Sequence, residues 1–226
     1  MNQSQLNEHA QQCLRSLMRI WFEFERRLNR VPVIKRLEQG HFTREDYQNL
    51  LLNMRQQVIE GSRWISRSAS SFDRDYSDVR SVVIGHAKEE HKDYQVLEAD
   101  YLKAGGDAET LQNQPRNVGT EALHGFLMYR ASQPNPVDMI GAMWIIEGLG
   151  EKMASNWAER IEQLLGEEAG FVSFLRYHGA NDAEHMNKLY ELLDRLCQNE
   201  AQIDKIARTA TVVGRLYCLQ LEEIDE

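Results

Sequence analysis

The sequence has little of the glycine, proline and β-strand pattern that most non-helical folds need. Its 226 residues include 14 glycines and 4 prolines, and runs of alternating β-branched residues are nearly absent. Leu, Glu, Gln, Arg and Ala are abundant instead, and these residues favour helix. The length suits one sizeable core better than two. We therefore predict an all-α protein, a single helical domain over residues 1–226 with about eight helices in one bundle.

Cysteine, basic charge and long apolar runs are also scarce. The three cysteines, Cys13, Cys197 and Cys218, have no CxxC spacing, so we expect buried, reduced thiols. A formal net charge of −9 and the lack of a basic stripe argue against nucleic acid as a partner. The N-terminus lacks a basic stretch followed by an apolar run, and about 18 apolar residues never occur together. We expect a cytoplasmic protein that does not bind membranes.

Apolar periodicity and turn residues divide the chain into helices. Thr43 and Asp46 form a capping-box-like pair at the start of the second helix. The glycine-rich and proline-containing stretch 105–119 is predicted to be a connector with one short helical turn. One or two helices are expected between residues 167 and 197. The other helices are predicted over residues 5–27, 43–71, 77–104, 120–132, 136–165 and 199–221.

The stretch HGANDAEH, residues 178–185, places three polar groups on one helix face. His178, Asp182 and His185 are spaced i, i+4 and i+7 within a seam of Phe and Leu residues. Because the seam must face the core, the trio faces it too, and buried polar groups need partners. Imidazole and carboxylate both bind divalent first-row metals. The alternative is an inward histidine satisfied by the aspartate of its own helix, with the other histidine solvated.

Two other helices carry titratable groups on their apolar seams. His86, Glu90 and Asp93 interrupt the seam of the third helix, and Glu147 alone is charged in WIIEGLG of the fifth. An inward carboxylate is costly without a metal or a histidine as its partner. Three helices that each bring carboxylate or imidazole to the core form the arrangement of dinuclear carboxylate sites in helix bundles.

Four nearby residues fit this pattern less well. Glu60 lies beside the apolar stripe of the second helix, so it is a secondary metal candidate for which solvent exposure is an equal alternative. Glu89, His91 and Lys92 lie on other faces of the third helix, in a charge run typical of solvated surface. These three are left out of the predicted site.

The candidate residues resemble the haem-oxygenase-like di-iron oxidases in order and approximate spacing. Glu90 with Asp93, Glu147 in WIIEG, and the HxxxDxxH of His178, Asp182 and His185 carry this resemblance. The segment LEQGHFTREDYQNLL at residues 37–51 is also similar to the opening of the second helix in TenA, PqqC and haem oxygenase relatives. The resemblance covers about residues 30–197 and implies a haem-oxygenase-like helical bundle.

The resemblance implies metal ligands at Glu90, Glu147, His178, Asp182 and His185. In that family such ligands hold two irons that activate oxygen, and members oxidatively cleave or decarboxylate fatty acids and amino acids, or hydroxylate nitrogen. The sixth ligand position differs from the family pattern, because this chain has Asp93 where the family has histidine. We therefore expect one or two Fe²⁺ ions, or another divalent metal. His86, one turn before Glu90, is a candidate for supplying the missing imidazole.

The function implied is a non-haem iron-dependent oxidase or oxygenase that uses dioxygen on a small organic acid, amine or similar metabolite. One alternative is a metal-free enzyme of the TenA or PqqC kind, with Glu147 and the histidines in acid/base roles. Another is a non-catalytic binding protein whose polar seams form a buried hydrogen-bond network. Relatives often form dimers, so a homodimer is a candidate assembly. The sequence identifies neither the substrate nor a catalytic residue.

Overall fold

The computed structural model describes residues 6–166 and 170–225, without the side chains of residues 181–184. These residues contain no strand, so the all-α prediction is confirmed. They form eleven α-helices, more than the eight or so expected. The helices are α1 (Glu8–Leu28), α2 (Pro32–Gln39), α3 (Arg44–Ser71), α4 (Ser77–Glu89), α5 (Asp93–Lys103), α6 (Ala108–Asn113), α7 (Val118–Ala131), α8 (Met139–Leu149), α9 (Ser155–Leu165), α10 (Ser173–Leu196) and α11 (Glu200–Glu222).

Local capping explains several of the helix ends. The Thr43 hydroxyl accepts a hydrogen bond from the Asp46 N–H, and the Asp46 carboxylate accepts one from the Thr43 N–H, which completes the predicted capping box. The sequence prediction missed α2, although Pro32 occupies its first turn. Gly40 ends α2 with a φ of 76°, a left-handed conformation that glycine adopts readily.

The predicted third helix is two helices. A 3₁₀ turn at Glu90–Lys92 separates α4 from α5, so the prediction of one continuous helix over residues 77–104 was wrong. The break falls between His86 and Asp93, the first and last of the candidate ligands on this segment. Apolar periodicity missed it because a single tighter turn leaves most of the seam in place.

The predicted fifth helix also differs from the observed one. Its start was placed at Pro136, but α8 begins at Met139, after Asn135 with its left-handed φ of 48° and a turn at residues 137–138. A π-helical turn at Gly150–Ala154 joins α8 to α9. Such turns occur frequently at functional sites, and this one directly follows the helix that carries Glu147.

The remaining segments follow the prediction more closely. The connector at residues 105–119 contains α6, the short helix expected there. α10 is one continuous helix that carries the whole of HGANDAEH. The predicted helix starts at Gln5 and at Glu167 lie outside the described residues. None of the described helices combines the length and the apolar character needed to cross a bilayer.

α8 lies at the centre of the bundle and nearly all of its residues are buried. It packs against α10 and α11, while α3 packs against α4, α5 and α7. A Cβ added at Gly141 would collide with the backbone carbonyl of Ile206, so this glycine sets the close approach of α8 to α11. The three cysteines are buried and free of disulfides, as expected. This packing directs α4, α8 and α10 towards one shared interior region.

Candidate metal centre

Glu147 of α8 lies at the centre of a buried polar cluster. Glu147 is 4% exposed, and its Oε2 lies 3.0 Å from Nδ1 of His185 on α10. Its Oε1 lies 3.0 Å from Nε2 of His86 on α4. The two imidazole rings are nearly perpendicular, at 87°, with centroids 4.7 Å apart. One carboxylate therefore contacts two histidines contributed by two other helices.

A second group of donors adjoins the first. Asp93, the first residue of α5, has its Oδ2 3.6 Å from Nε2 of His178 on α10. Glu90, in the 3₁₀ turn, has its Oε1 3.5 Å from Nδ1 of His185. In each of two groups, one potential ligand atom per residue lies within 4.8 Å of the others. These groups are the four-residue cluster, His86, Glu90, Glu147 and His185, and the three-residue cluster, Glu90, Asp93 and His178.

Glu89 also contacts the four-residue cluster, although the sequence pattern placed it on the surface. Its Oε2 lies 3.2 Å from Nε2 of His185, the ring nitrogen that faces away from Glu147. Its carboxylate also forms a 3.0 Å ion pair with Lys188, and its side chain remains 43% exposed. Glu89 and Glu90 thus approach opposite nitrogens of the same imidazole. His91 and Lys92 are exposed, as expected.

Burial and neighbouring groups shift the pKa values of the two central carboxyls in opposite directions. Burial raises the pKa of Glu90 to about 8, and the charge of Glu147 adds to this effect. Burial also acts to raise the pKa of Glu147, but interactions with His185 and His86 outweigh it and lower the pKa to about 2. Burial acts to lower the pKa of His86, which Glu147 nevertheless raises. With no cation bound, these shifts favour the ionised form of Glu147 and the protonated form of Glu90.

The polar atoms of the clusters fit a bound metal ion. His86 Nε2, Glu90 Oε1 and Asp93 Oδ2 are buried and have no hydrogen-bond partner in the described part of the chain. His86 Nε2 is close to Glu147, but the contact lacks the geometry of a hydrogen bond. Buried polar atoms without partners are uncommon in folded proteins. Imidazole nitrogen together with carboxylate oxygen suits iron and other divalent first-row metals.

Two predicted site residues lie apart from these clusters or outside the description. Glu60 is 7% exposed, so it is not the solvated residue that the alternative expected. It pairs with Arg63 and Arg116, each at 2.8 Å, and joins neither cluster. Asp182 lies on α10 between His178 and His185, but its side chain is outside the described residues.

A cavity of about 70 Å³ adjoins both clusters. Glu90, Glu147 and His178 form one part of its wall. The sequence pattern did not identify the rest of the wall, because it is assembled from helices far apart in the chain. The other lining residues are Met54, Gln57, Val58, Gly61, Trp64, Ile65, Ile146, Leu149, Gly150, Ala154, Trp157, Phe174, Leu175 and Tyr217.

Comparison with known proteins places this arrangement in a wider group. The sequence model of a family described as iron-containing redox enzymes matches residues 84–217, more than half of the chain. This span includes every residue of both clusters. No curated protein matches the sequence. The match confirms the resemblance to iron-containing relatives, whereas assignment to the narrower di-iron oxidases stays a prediction.

Solved structures show the fold. A domain of unknown function with a haem oxygenase-like fold from Shewanella denitrificans OS217 superposes with a TM-score of 0.85 at 18% identity, covering 92% of this chain and 89% of that one. A TenA homologue from Pseudomonas syringae pv. tomato DC3000 gives 0.81 at 14% identity, with 100% and 96% covered. A TenA homologue from P. horikoshii OT3 gives 0.68 at 13% identity, with 96% and 97% covered. The bundle is therefore haem-oxygenase-like, as the sequence resemblance implied.

Proposed function

Because this chain belongs to the family of iron-containing redox enzymes, we propose that it is a non-haem iron-dependent oxidase or oxygenase that uses dioxygen on a small organic substrate. The observation that carries this proposal is the pair of overlapping donor clusters in the wall of a cavity. A substrate in that cavity would lie directly beside the metal. The clusters alone would fit a structural ion, whereas clusters beside a cavity fit a reaction centre.

The two clusters would hold two ions. His86, Glu147 and His185 would bind the first ion, and Asp93 and His178 the second. Glu90 belongs to both clusters and would be a ligand available to either ion. Carboxylates and histidines projecting inward from several helices build the dinuclear sites of other helical bundles. Asp93 would supply oxygen at the position where the related oxidases have an imidazole.

Bound ferrous iron supplies the one-electron and oxygen chemistry that protein side chains lack. The side chains of this protein then have separate tasks. Glu147 lies 3.0 Å from both His86 and His185 through its two oxygens, so the three groups would be close enough to bind one ion together. Glu90 would act as a ligand in its deprotonated form, since metal ligands bind in that form. The apolar wall of the cavity limits access of bulk water to the reacting groups.

Anaerobic titration of the purified full-length chain with Fe²⁺ tests the proposal. We expect nearly two equivalents to bind, and we expect the loaded protein to consume dioxygen. Glu147→Gln should greatly reduce iron binding. Glu60→Gln is the matched control, because Glu60 is a similarly buried glutamate that joins neither cluster. Absence of tight iron binding by the wild-type protein would refute the proposal.

A metal-free acid/base enzyme is the second candidate. The raised pKa of Glu90 makes this residue a potential general acid at neutral pH, and it lines the cavity. The fold shared with the two TenA homologues is compatible with this alternative. Turnover by protein treated with a chelator, with an organic ligand in the cavity, would favour it over the iron-dependent reaction.

A further inference from the structure

Two polar side chains in the wall of the cavity have no partner in the described part of the chain. Gln57 of α3 is 7% exposed and Tyr217 of α11 is 3% exposed, and both line the cavity. Neither the Gln57 amide nor the Tyr217 hydroxyl forms a hydrogen bond with the described residues. Buried polar groups usually have at least one such partner. Helix packing therefore does not account for the polar ends of these two side chains.

Buried residues of the same two types elsewhere in the bundle show the usual arrangement. The side-chain amide of Gln56, the neighbour of Gln57, donates a hydrogen bond to the carbonyl of Gln114 at 2.8 Å. The hydroxyl of Tyr47 donates one to the carbonyl of Phe171 at 2.7 Å. Neither Gln56 nor Tyr47 lines the cavity. In this comparison, the groups without a partner are the ones in the cavity wall.

The polar atoms of Gln57 and Tyr217 are open to a ligand. Oε1 and Nε2 of Gln57 and the hydroxyl oxygen of Tyr217 each keep some surface that a water molecule can reach. The indole nitrogens of Trp64 and Trp157 in the same wall, by contrast, are sealed. Because Gln57 and Tyr217 are otherwise buried and line the cavity, a ligand in the cavity can supply the partners that their polar atoms lack.

The chemistry of the two groups defines what they can bind. A primary amide offers two donor hydrogens and an acceptor oxygen, and a tyrosine hydroxyl offers one donor and an acceptor oxygen. Burial raises the pKa of Tyr217, so its hydroxyl keeps its proton at neutral pH and can donate a hydrogen bond. Together the two groups match a ligand group that both donates and accepts, such as a primary amide or a hydroxyl.

The rest of the cavity limits the size and polarity of the ligand. Its volume of about 70 Å³ corresponds to roughly five water molecules, and so to a compact ligand of about five to ten non-hydrogen atoms. Apart from Glu90, Glu147 and His178 of the clusters, most of the wall is aliphatic or aromatic. An apolar molecular body is therefore favoured next to the polar group.

Gln57 and Tyr217 lie on helices that carry no member of either cluster among the described residues. The candidate metal ligands come from α4, the 3₁₀ turn, α5, α8 and α10, whereas Gln57 and Tyr217 come from α3 and α11. A substrate bound through these two residues would keep a fixed orientation towards the metal donors. Such positioning is a substantial contribution to catalysis in enzymes generally.

We infer that Gln57 and Tyr217 form an amide–hydroxyl pair that binds the polar end of a small, otherwise apolar substrate, through a group that both donates and accepts hydrogen bonds. The substrate role rests on the proposed function, because the cavity is taken as the place where the iron-dependent reaction occurs. The inference narrows the substrate class to compact molecules with an apolar body and one such group, for example small primary amides and alcohols.

Ligand-detected NMR with three probes of nearly equal shape tests this selectivity. Cyclopentanecarboxamide donates and accepts hydrogen bonds, cyclopentyl methyl ketone only accepts, and isopropylcyclopentane does neither. Each probe is added to the full-length chain with and without Fe²⁺. In both states we expect the amide to bind most tightly and the hydrocarbon least. Equal binding of the three probes, or tightest binding of the hydrocarbon, would overturn the inference.

Two substitutions remove the polar groups and keep most of the side-chain volume. We expect Gln57→Leu and Tyr217→Phe each to weaken binding of the amide probe about two- to tenfold, the usual effect of one lost hydrogen bond, with little effect on the hydrocarbon. Gln56→Leu and Tyr47→Phe are the matched controls, because these residues are similarly buried but do not line the cavity. Unchanged amide binding in either cavity variant would overturn the inference.

Thermal melts of the same four variants distinguish substrate binding from a structural role. Gln56→Leu and Tyr47→Phe each break a hydrogen bond within the protein, so both should lower the Tm. Gln57→Leu and Tyr217→Phe break none among the described residues, so the Tm should stay the same or rise. If the cavity variants lowered the Tm as much as the controls, the amide–hydroxyl pair would be structural and the inference would fail.

The same samples separate this inference from the proposed function. If the chain binds the amide probe through Gln57 and Tyr217 but takes up no iron, the iron-dependent reaction fails and the amide–hydroxyl pair stands as a binding site. If the chain takes up iron but both variants bind the amide as the wild type does, the inference fails and the proposed function stands.

Discussion

The four-residue and three-residue clusters share Glu90 but differ in how closely their donors approach one another. In the four-residue cluster, Glu147 lies 3.0 Å from both His86 and His185. In the three-residue cluster, Asp93 and His178 are 3.6 Å apart. The four-residue cluster surrounds the buried carboxylate of Glu147, whereas the three-residue cluster includes Asp93, whose side chain is shorter than that of a glutamate. We therefore expect the first cluster to bind a metal ion more tightly than the second.

The largest effect is expected from Glu90→Ala, because this change removes the residue that the clusters share. Both ions should be lost, so the iron content after desalting should fall close to zero. Metal analysis of the desalted protein measures this result. A thermal melt followed by circular dichroism is the control for folding. Retention of one tightly bound equivalent would show that Glu90 does not connect the two clusters.

A change in His86 tests the four-residue cluster alone. His86→Ala removes an imidazole that contacts Glu147 and belongs only to the four-residue cluster. Iron uptake should fall by one equivalent. The affinity for the first ion should fall by more than the 10- to 100-fold that loss of a second-sphere partner typically causes. His91→Ala, at an exposed neighbouring histidine, is the control. Unchanged metal stoichiometry in His86→Ala would exclude His86 as a ligand.

Changes at Asp93 should alter the difference in metal affinity between the two clusters. Asp93→His introduces an imidazole, the group that the related oxidases carry at this position, and it should raise the affinity for the second ion about tenfold. Asp93→Asn removes the charge at nearly constant size and should lower that affinity. Stepwise calorimetric titration resolves the two binding events. Equal affinities in all three proteins would mean that residue 93 does not bind the ion.

The smallest effect is expected from Glu89→Gln. Glu89 contacts the ring nitrogen of His185 that faces away from Glu147, which is the position of a second-sphere partner that orients a ligand. Because its side chain is 43% exposed, we expect the metal affinity to fall by about tenfold, near the lower end of the usual range for a second-sphere partner. The loss should concern the first ion only. An equal loss for both ions would point to a general electrostatic effect.

Features that depend on neighbours in sequence were predictable, whereas features that depend on distant helices were not. Thr43 and Asp46 are three residues apart, so their capping box could be read directly. The inward direction of Glu147 and His185 followed from the apolar seams that contain them. The contact of Glu89 with His185 depends on how α4 meets α10, which no local pattern encodes. The ion pairs of Glu60 with Arg63 and Arg116 and the joining of Trp64 with Trp157 in one wall likewise depend on tertiary packing.

The sequence also predicted regular, uninterrupted helices at two positions beside the site that contain irregular turns. A 3₁₀ turn and a π turn each alter the helical register locally, while the flanking apolar residues still follow a helical pattern. Hydrophobic periodicity therefore indicated the right segments and missed both irregular turns. These turns lie at Glu90 and directly after Glu147's helix, where the local geometry of the site departs from a regular bundle.

The 3₁₀ turn between α4 and α5 places one donor of each cluster on a separate helix. α4 carries His86, α5 carries Asp93, and Glu90 lies in the joint between them. Substitutions within α5 can consequently remodel one half of the centre while α4, α8 and the other half remain in place. Substitutions on one short helix would thus change the donor set of the proposed centre without a new fold.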